Sequence, residues 1–269
     1  MNGFVSDVFQ SMKIVITGAA GGIGAQMLDE LAQAHELCLI DRVKIRDRKT
    51  LTYDLAKTRV WRSRLEWCGV YTSGLTKAFR SADVVLHLAA ESLPQAPWSR
   101  ILRDNIQATQ HVLETAAMHR VPRVVYASSN WAVKALEREL APACYLADGP
   151  KIGSDIPPRP LTAYGMSKAL GEITGKMFID QNLLESFVAV RIGHYSRDPL
   201  VKGPSRDLWI GADDLRSLLR RCVEAEFTGY HVIYGVSAQR RSPYDLSYTR
   251  RLLQWHPRQS NEPSGGSTQ

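Results

Sequence analysis

Cysteine is scarce in this chain. The four present, Cys38, Cys68, Cys144 and Cys222, lie far apart and form no C-x-x-C pair. Neither a zinc site nor a disulfide framework is indicated, no metal is expected, and a reducing cytoplasm is the expected setting. Long apolar runs are missing as well: none approaches the ~18–20 residues of a membrane span. Met1 to Gln10 has neither a basic start nor an apolar core, so no secretory leader is expected, and residues 1–11 read as an N-terminal extension. Nor is there a block of one charge. The net charge is +7, yet the arginines are spread, with Arg42, Arg46 and Arg48 early and Arg216, Arg220 and Arg221 late. No nucleic-acid motif accompanies them, which leaves a basic surface that attracts small anions.

What is present suits a single enzyme-sized domain: 269 residues, 44% apolar and 23% charged. Lys13-Ile14-Val15-Ile16-Thr17 is a short β-branched run of the kind buried on both faces of a parallel sheet. It enters Gly18-Ala19-Ala20-Gly21-Gly22-Ile23-Gly24 and then the helical pattern of Met27, Leu28 and Leu31. Strand, glycine loop and helix in that order make a pyrophosphate cradle: glycines permit a tight turn and close backbone approach, and the helix N-terminus offers free N–H groups. Leu37 to Ile40 forms the next strand and ends at Asp41, placed for the adenosine ribose hydroxyls, which favours NAD over NADP; Arg42, directly after it, is the type of residue NADP enzymes use. Thr50 to Tyr53 reads as a third strand with Asp54 beside the adenine, or else Leu65 to Cys68 is that strand and Asp54 has no such role. The Arg/Trp-rich stretch at 59–74 looks like an insertion.

Val84 to His87 is a fourth strand running into Leu88, Ala89 and Ala90, small enough for a cofactor to lie against. Ile101 to His119 is helical and carries Asn105. Arg123 to Ala127 is a strand ending in Ser128-Ser129-Asn130, where parallel sheets build their sites. Residues 137–160, rich in proline, read as a loop. Tyr164 and Lys168 then share one helical face at i, i+4, and a cation one turn from a phenol favours its anion. Phe187 to Gly193 is a buried strand whose Arg191 requires an anionic partner, either an internal carboxylate or that of a substrate. Asp213 and Asp214 open an N-capped helix, Val232 to Gly235 is a late strand, and residues 259–269 read as a disordered tail. The fold expected is α/β, a doubly wound parallel sheet (Rossmann fold) over residues 12–255, with substrate-binding elements from about 130–160 and 191–255.

With T-G-x-x-G-x-x-G (Thr17 to Gly24), H-L-A-A (His87 to Ala90), Ser129 and the Tyr164/Lys168 pair, residues 12–255 resemble an extended short-chain dehydrogenase/reductase of the NAD-dependent epimerase/dehydratase superfamily. Within it, Ala127 to Asn130, Arg159-Pro160, Val190 to Gly193 and Trp209 with Asp213-Asp214 are most similar to bacterial uronate dehydrogenases. The resemblance implies Tyr164 as acid/base, Lys168 lowering its pKa and binding the nicotinamide ribose, Ser129 orienting the substrate hydroxyl, Asn105 as a supporting polar group on the cofactor side, and Ile192 on that side too. It further implies that Ser92, Ser129, Asn130 and Arg191 contact the sugar acid, with Arg191 gripping its carboxylate, and that the enzyme forms a homo-oligomer. Trp131 stands where uronate dehydrogenases have a histidine, and the loop at 137–158 is longer. The implied reaction is oxidation of a hexuronate at C1 to an aldarolactone with NAD. The alternatives are a dehydrogenase of another anionic sugar and a nucleotide-sugar epimerase or dehydratase.

Overall fold

The computed structural model describes residues 11–57, 60–62, 67–70, 73–199, 202–203 and 205–261. The chain begins with β1 (Lys13–Thr17), buried after its first residue, and turns through the glycines into α1 (Gly24–Leu31), which buries Met27, Leu28 and Leu31. β2 (Glu36–Asp41) and β3 (Thr50–Thr52) follow, then the antiparallel ribbon of β4 (Val60–Arg62) and β5 (Trp67–Val70), then α2 (Ser73–Phe79) and β6 (Val84–His87). Next come α3 (Trp98–Ile101), a π-helical turn at Leu102–Gln107, and α4 (Ala108–Met118), so the expected single helix is interrupted by one wide turn. The second half contains β7 (Arg123–Ser129), α5 (Lys134–Leu140), α6 (Ala163–Asp180), β8 (Ser186–Ile192) and β9 (His194–Tyr195). It closes with β10 (Trp209–Ile210), α7 (Ala212–Glu224), β11 (Gly229–Gly235) and α8 (Ser247–Leu253).

Seven strands form one parallel sheet in the order β11-β8-β7-β6-β1-β2-β3. Because β3 is Thr50–Thr52, Asp54 does follow the third strand; Trp67–Val70 belongs to the separate ribbon. Alternate residues of the central strands supply two cores. Ile14, Ile16, Val125, Val188 and Val190 pack with α1 and α7, whereas Val15, Val124, Tyr126, Phe187 and Ala189 lie in the core that includes α4 and Phe178 of α6. α6 approaches closely because Gly171 and Gly175 face Tyr126 and Phe187; a Cβ at either would lie 2.3 and 2.2 Å from those rings.

Three expectations need correction. The stretch 137–160 opens inside α5 rather than as loop, because Glu137 turns inward and accepts hydrogen bonds from Tyr145 (2.6 Å) and Tyr244 (2.5 Å) as well as pairing with Lys134. The start of the supposed disordered tail is fixed: Gln259 caps α7, its Oε1 accepting from the amides of Asp213 (3.0 Å) and Asp214 (3.1 Å), so the capping group comes from 45 residues away and not from the aspartates themselves. Asn261 is buried and donates to the Arg206 carbonyl at 2.8 Å. The third concerns Arg191. In β8 it lies in register with Ser128, on the α6 face, while Ser129 is in register with Ile192 and faces the other way. The expected insertion at 59–74 lies partly outside the described residues.

Candidate active site

The carboxyl ends of the parallel strands open into two adjoining cavities. The first, about 400 Å³, is lined by Gly18, Ala20, Gly21, Asp41, Arg42, Tyr53, Asp54, Leu88, Ala89, Ala90, Glu91, Ser92 and Asp104, among others. The second, about 610 Å³, is lined by Gly22, Ile23, Gly24, Ser92, Ser129, Asn130, Trp131, Lys134, Tyr164, Lys168, Ile192, His194 and Tyr195, among others. Gly18, Gly21, Leu88, Ala90 and Ser92 border both.

The first cavity fits a dinucleotide. Gly18 has φ +71, and a Cβ there would lie 2.6 Å from the Ala89 nitrogen; at Gly24 one would meet the Gly18 carbonyl at 2.2 Å. Only glycine permits that approach of β1, β6 and α1. No side chain caps α1 and no acid occupies its first turn, and of its first amides those of Ala25 and Gln26 donate to the Gly21 (2.9 Å) and Ile23 (3.0 Å) carbonyls. Asp41 is oriented by the amides of Ala20 (2.9 Å) and Val43 (3.0 Å). The Tyr53 hydroxyl is buried without a hydrogen-bond partner among the described residues. Arg42 donates to Asp104 at 2.6 Å and lies 3.9 Å from Asp54. Burial alone would raise the Asp104 carboxyl, but Arg103 and Arg42 outweigh it and hold it below the ordinary range.

In the second cavity Thr162 caps α6, its hydroxyl accepting from the Gly165 amide at 3.1 Å, and this fixes the turn that carries Tyr164. The Tyr164 ring meets Trp131 edge-on, with centroids 6.4 Å apart. Burial raises the phenol above its usual value; the Ser129 hydroxyl lowers it by hydrogen bonding and the Glu91 carboxylate raises it. Lys168 is buried, donates to the Ala127 carbonyl at 2.8 Å, and is pushed down to about 8 by desolvation. The lowering of the phenol expected from Lys168 therefore gives way to burial in the protein alone. Ser129 is oriented by donating to Asn130 Oδ1 (3.2 Å) and accepting from the Trp131 amide (3.3 Å).

Of the residues expected at the site, Asn105 supports it from behind and Arg191 lies elsewhere. Asn105 is buried and fully engaged: it accepts from the Glu91 amide (2.7 Å) and donates to the Glu91 carbonyl (3.1 Å) and Ser167 (2.9 Å). It supports the cavity wall and lines neither cavity. Arg191 donates to Glu172 through Nε (2.9 Å) and Nη2 (2.8 Å), and to Tyr234 and the Ile156 carbonyl. Both members of the ion pair are 1% exposed. Its carboxylate is internal, and the guanidinium has no donor left for a sugar acid. Conversely Glu91, Asp104, Lys134, His194 and Tyr195 line the cavities without having been singled out. Glu91 directly follows the small-residue segment and Lys134 closes the turn after Ser129, which are the signals that could have found them.

Among the described residues no helix is long and apolar enough to cross a membrane. The chain matches the NAD dependent epimerase/dehydratase family over residues 14–199. It is 30% identical to an NAD-dependent glucose-6-phosphate dehydrogenase of Haloferax volcanii, over 92% of this chain and 94% of that one. It is 28% identical to a uronate dehydrogenase of Pseudomonas syringae pv. tomato, over 93% and 83%. The crystal structure of an Agrobacterium tumefaciens uronate dehydrogenase mutant complexed with NAD superimposes with a TM-score of 0.74 at 26% identity, covering 93% of this chain and 86% of that one.

Proposed function

The chain belongs to the NAD dependent epimerase/dehydratase family, and we propose that within it the protein oxidises a hexuronic acid at C1 to the aldarolactone. The observation that carries this reading is how charge divides between the cavities. Asp41, Asp54, Glu91 and Asp104 line the adenosine side with one cation, Arg42. Lys134 and Lys168 line the substrate side, and its described lining residues include no carboxylate. Such a wall attracts an anionic sugar. With Arg191 committed to Glu172, the carboxylate falls to Lys134: its ammonium has three hydrogens and spends one on Glu137, whose charge is already shared with two tyrosine hydroxyls.

NAD, when bound, supplies the hydride acceptor. The Tyr164 phenolate takes the proton of the C1 hydroxyl, Ser129 and Asn130 orient that hydroxyl, and the Lys168 ammonium stabilises the phenolate. Trp131 closes one side of the Tyr164 ring against water. A hexose phosphate is the second reading, favoured by the 30% identity to the Haloferax enzyme. Among the described residues Cys38, Cys144 and Cys222 form no disulfide, which suits a reducing cytoplasm. The exposed stripe of Met166, Leu170, Ile173 and Met177 along α6 suits association of like copies.

The test is NADH formation with glucuronate, galacturonate, glucose 6-phosphate, glucose and arabinose. Uronates turned over at least about tenfold better than neutral aldoses, with that advantage lost in Lys134→Met, is the expected outcome, since a lost charge contact is worth a few kcal/mol. Equal rates on neutral sugars would refute the anionic substrate. A preference for the phosphate would select the second reading, and turnover without net NADH would select an epimerase.

A further inference from the structure

Arg42 stands in the cofactor cavity directly after Asp41, where a guanidinium could receive the 2′-phosphate of NADP. It is the one basic side chain among the described lining residues of that cavity. Its charge is already spent: Nη2 lies 2.6 Å from Asp104 Oδ1, and Nε lies 3.9 Å from Asp54 Oδ1.

Asp104 is a firm anchor for it. The side chain is 3% exposed and is held by Arg103 as well, through Nε to Oδ1 at 2.7 Å and Nη2 to Oδ2 at 3.0 Å. It sits on the π-helical turn Leu102–Gln107, a wide turn of the kind found at functional sites. That turn brings Asp104 into the cavity wall while the next residue, Asn105, ties the same turn to Glu91 and Ser167. The anchor is fastened to the scaffold through Asn105, whereas Arg42 and Arg103, with side chains 47% and 49% exposed, are its movable members.

We infer that Asp104 sets the cofactor preference of this enzyme by locking Arg42, so that a 2′-phosphate meets the carboxylates of Asp41, Asp54 and Asp104 and no available cation among the described lining residues. Asp41 opposes the phosphate directly; Asp104 does so by withholding the residue that would receive it. Asp104 is thus a specificity-determining residue acting through Arg42, and its role does not depend on which sugar is oxidised.

Asp104→Asn keeps the shape and removes the charge. Dissociation constants for NADP+ and NAD+ are measured without sugar, by calorimetry, alongside thermal melting. The expected result is NADP+ bound about tenfold or more tightly than by the native protein, roughly 1.4 kcal/mol per tenfold, with NAD+ affinity changed less than about threefold. Adding Arg42→Ala to Asp104→Asn removes the gain, which separates Arg42 from Arg103. An unchanged NADP+ to NAD+ ratio in a normally melting Asp104→Asn protein would overturn the inference, as would a gain that survives in the double variant. Should Asp104→Asn not fold, Arg42→Ala alone decides. A change in NADP+ affinity below about twofold is what a locked arginine requires, and a tenfold loss would show that Arg42 already serves the phosphate.

Discussion

Lys168→Met should make the protein more stable while ending turnover. The ammonium of Lys168 is 4% exposed, and burial lowers its pKa from 10.5 to about 8. At neutral pH the folded protein therefore carries a charged group in a place that disfavours it by about 3 kcal/mol, at ~1.36 kcal/mol per pKa unit. Methionine fills a similar volume and loses the charged hydrogen bond to the Ala127 carbonyl, worth ~1.5 kcal/mol, and the cation–π contacts with Tyr126 (5.3 Å) and Tyr164 (5.8 Å), worth ~0.5 kcal/mol each. The difference leaves a gain of about 1 kcal/mol, or a rise in Tm of roughly 2–4 °C. The sign follows from linkage. Between about pH 8 and 10.5 the unfolded lysine binds the proton that the folded one has released, so native stability rises with pH across that window. Below about pH 8 the penalty is constant, and the variant lacks it altogether. Urea unfolding at about pH 7 and about pH 10 therefore shows a variant advantage that shrinks at the higher pH. A variant less stable at pH ~7, or an advantage equal at both pH values, would refute the reasoning.

Tyr164→Phe should abolish turnover while leaving the NAD+ dissociation constant within about twofold, because the phenol acts on the substrate proton. Since burial holds the Tyr164 phenol above its ordinary value, the base gains its reactive form as pH rises, and a kcat/KM profile for oxidation should climb on the alkaline side. Arg191→Ala strands the buried Glu172 carboxylate and should cost about 3–5 kcal/mol in denaturant unfolding. A selective rise in sugar KM at unchanged stability would mean instead that Arg191 reaches the substrate. Gly175→Ala places a Cβ 2.2 Å from the Phe187 ring; it should lower stability by about 1–3 kcal/mol, read by thermal melting.

The glycine loop, Asp41, Ser129 and the Tyr164/Lys168 pair were legible because each is a local pattern whose place in a parallel sheet follows from its neighbours in sequence. The sheet brings all of them to one crevice. For Arg191 the residues allow an internal or a substrate carboxylate, the resemblance implies the second, and the strand register selects the first. Side chains alternate along a strand, and with β7 and β8 in parallel register Ser129 and Arg191 have opposite parity. An arginine paired across from Ser128 cannot share a face with Ser129. What stayed illegible depends on distant partners: Gln259 capping α7, the Glu137 carboxylate collecting Tyr145 and Tyr244, and Asp104 reaching Arg42 across 62 residues of chain. No periodicity encodes such meetings; only the closed fold creates them.

The mutual grip of Asp214 and Gln259 bears on when the chain can finish folding as it is synthesised. Asp214 accepts from the amides of Arg258 (2.7 Å) and Gln259 (3.0 Å), and Gln259 in turn answers the first amides of α7. A ribosome that has released α7 has produced a helix with an open start and a carboxylate meant for burial, 2% exposed in the finished protein, with neither yet satisfied. Ser237 can answer the carboxylate first (2.6 Å), and the rest of the deficit lasts until Gln259, some 35 residues beyond the end of α7, emerges. The cofactor cradle, built from neighbours in sequence, can set early. The far wall of the substrate cavity, where β9 pairs with β10 just ahead of α7, waits for the last stretch of chain to arrive.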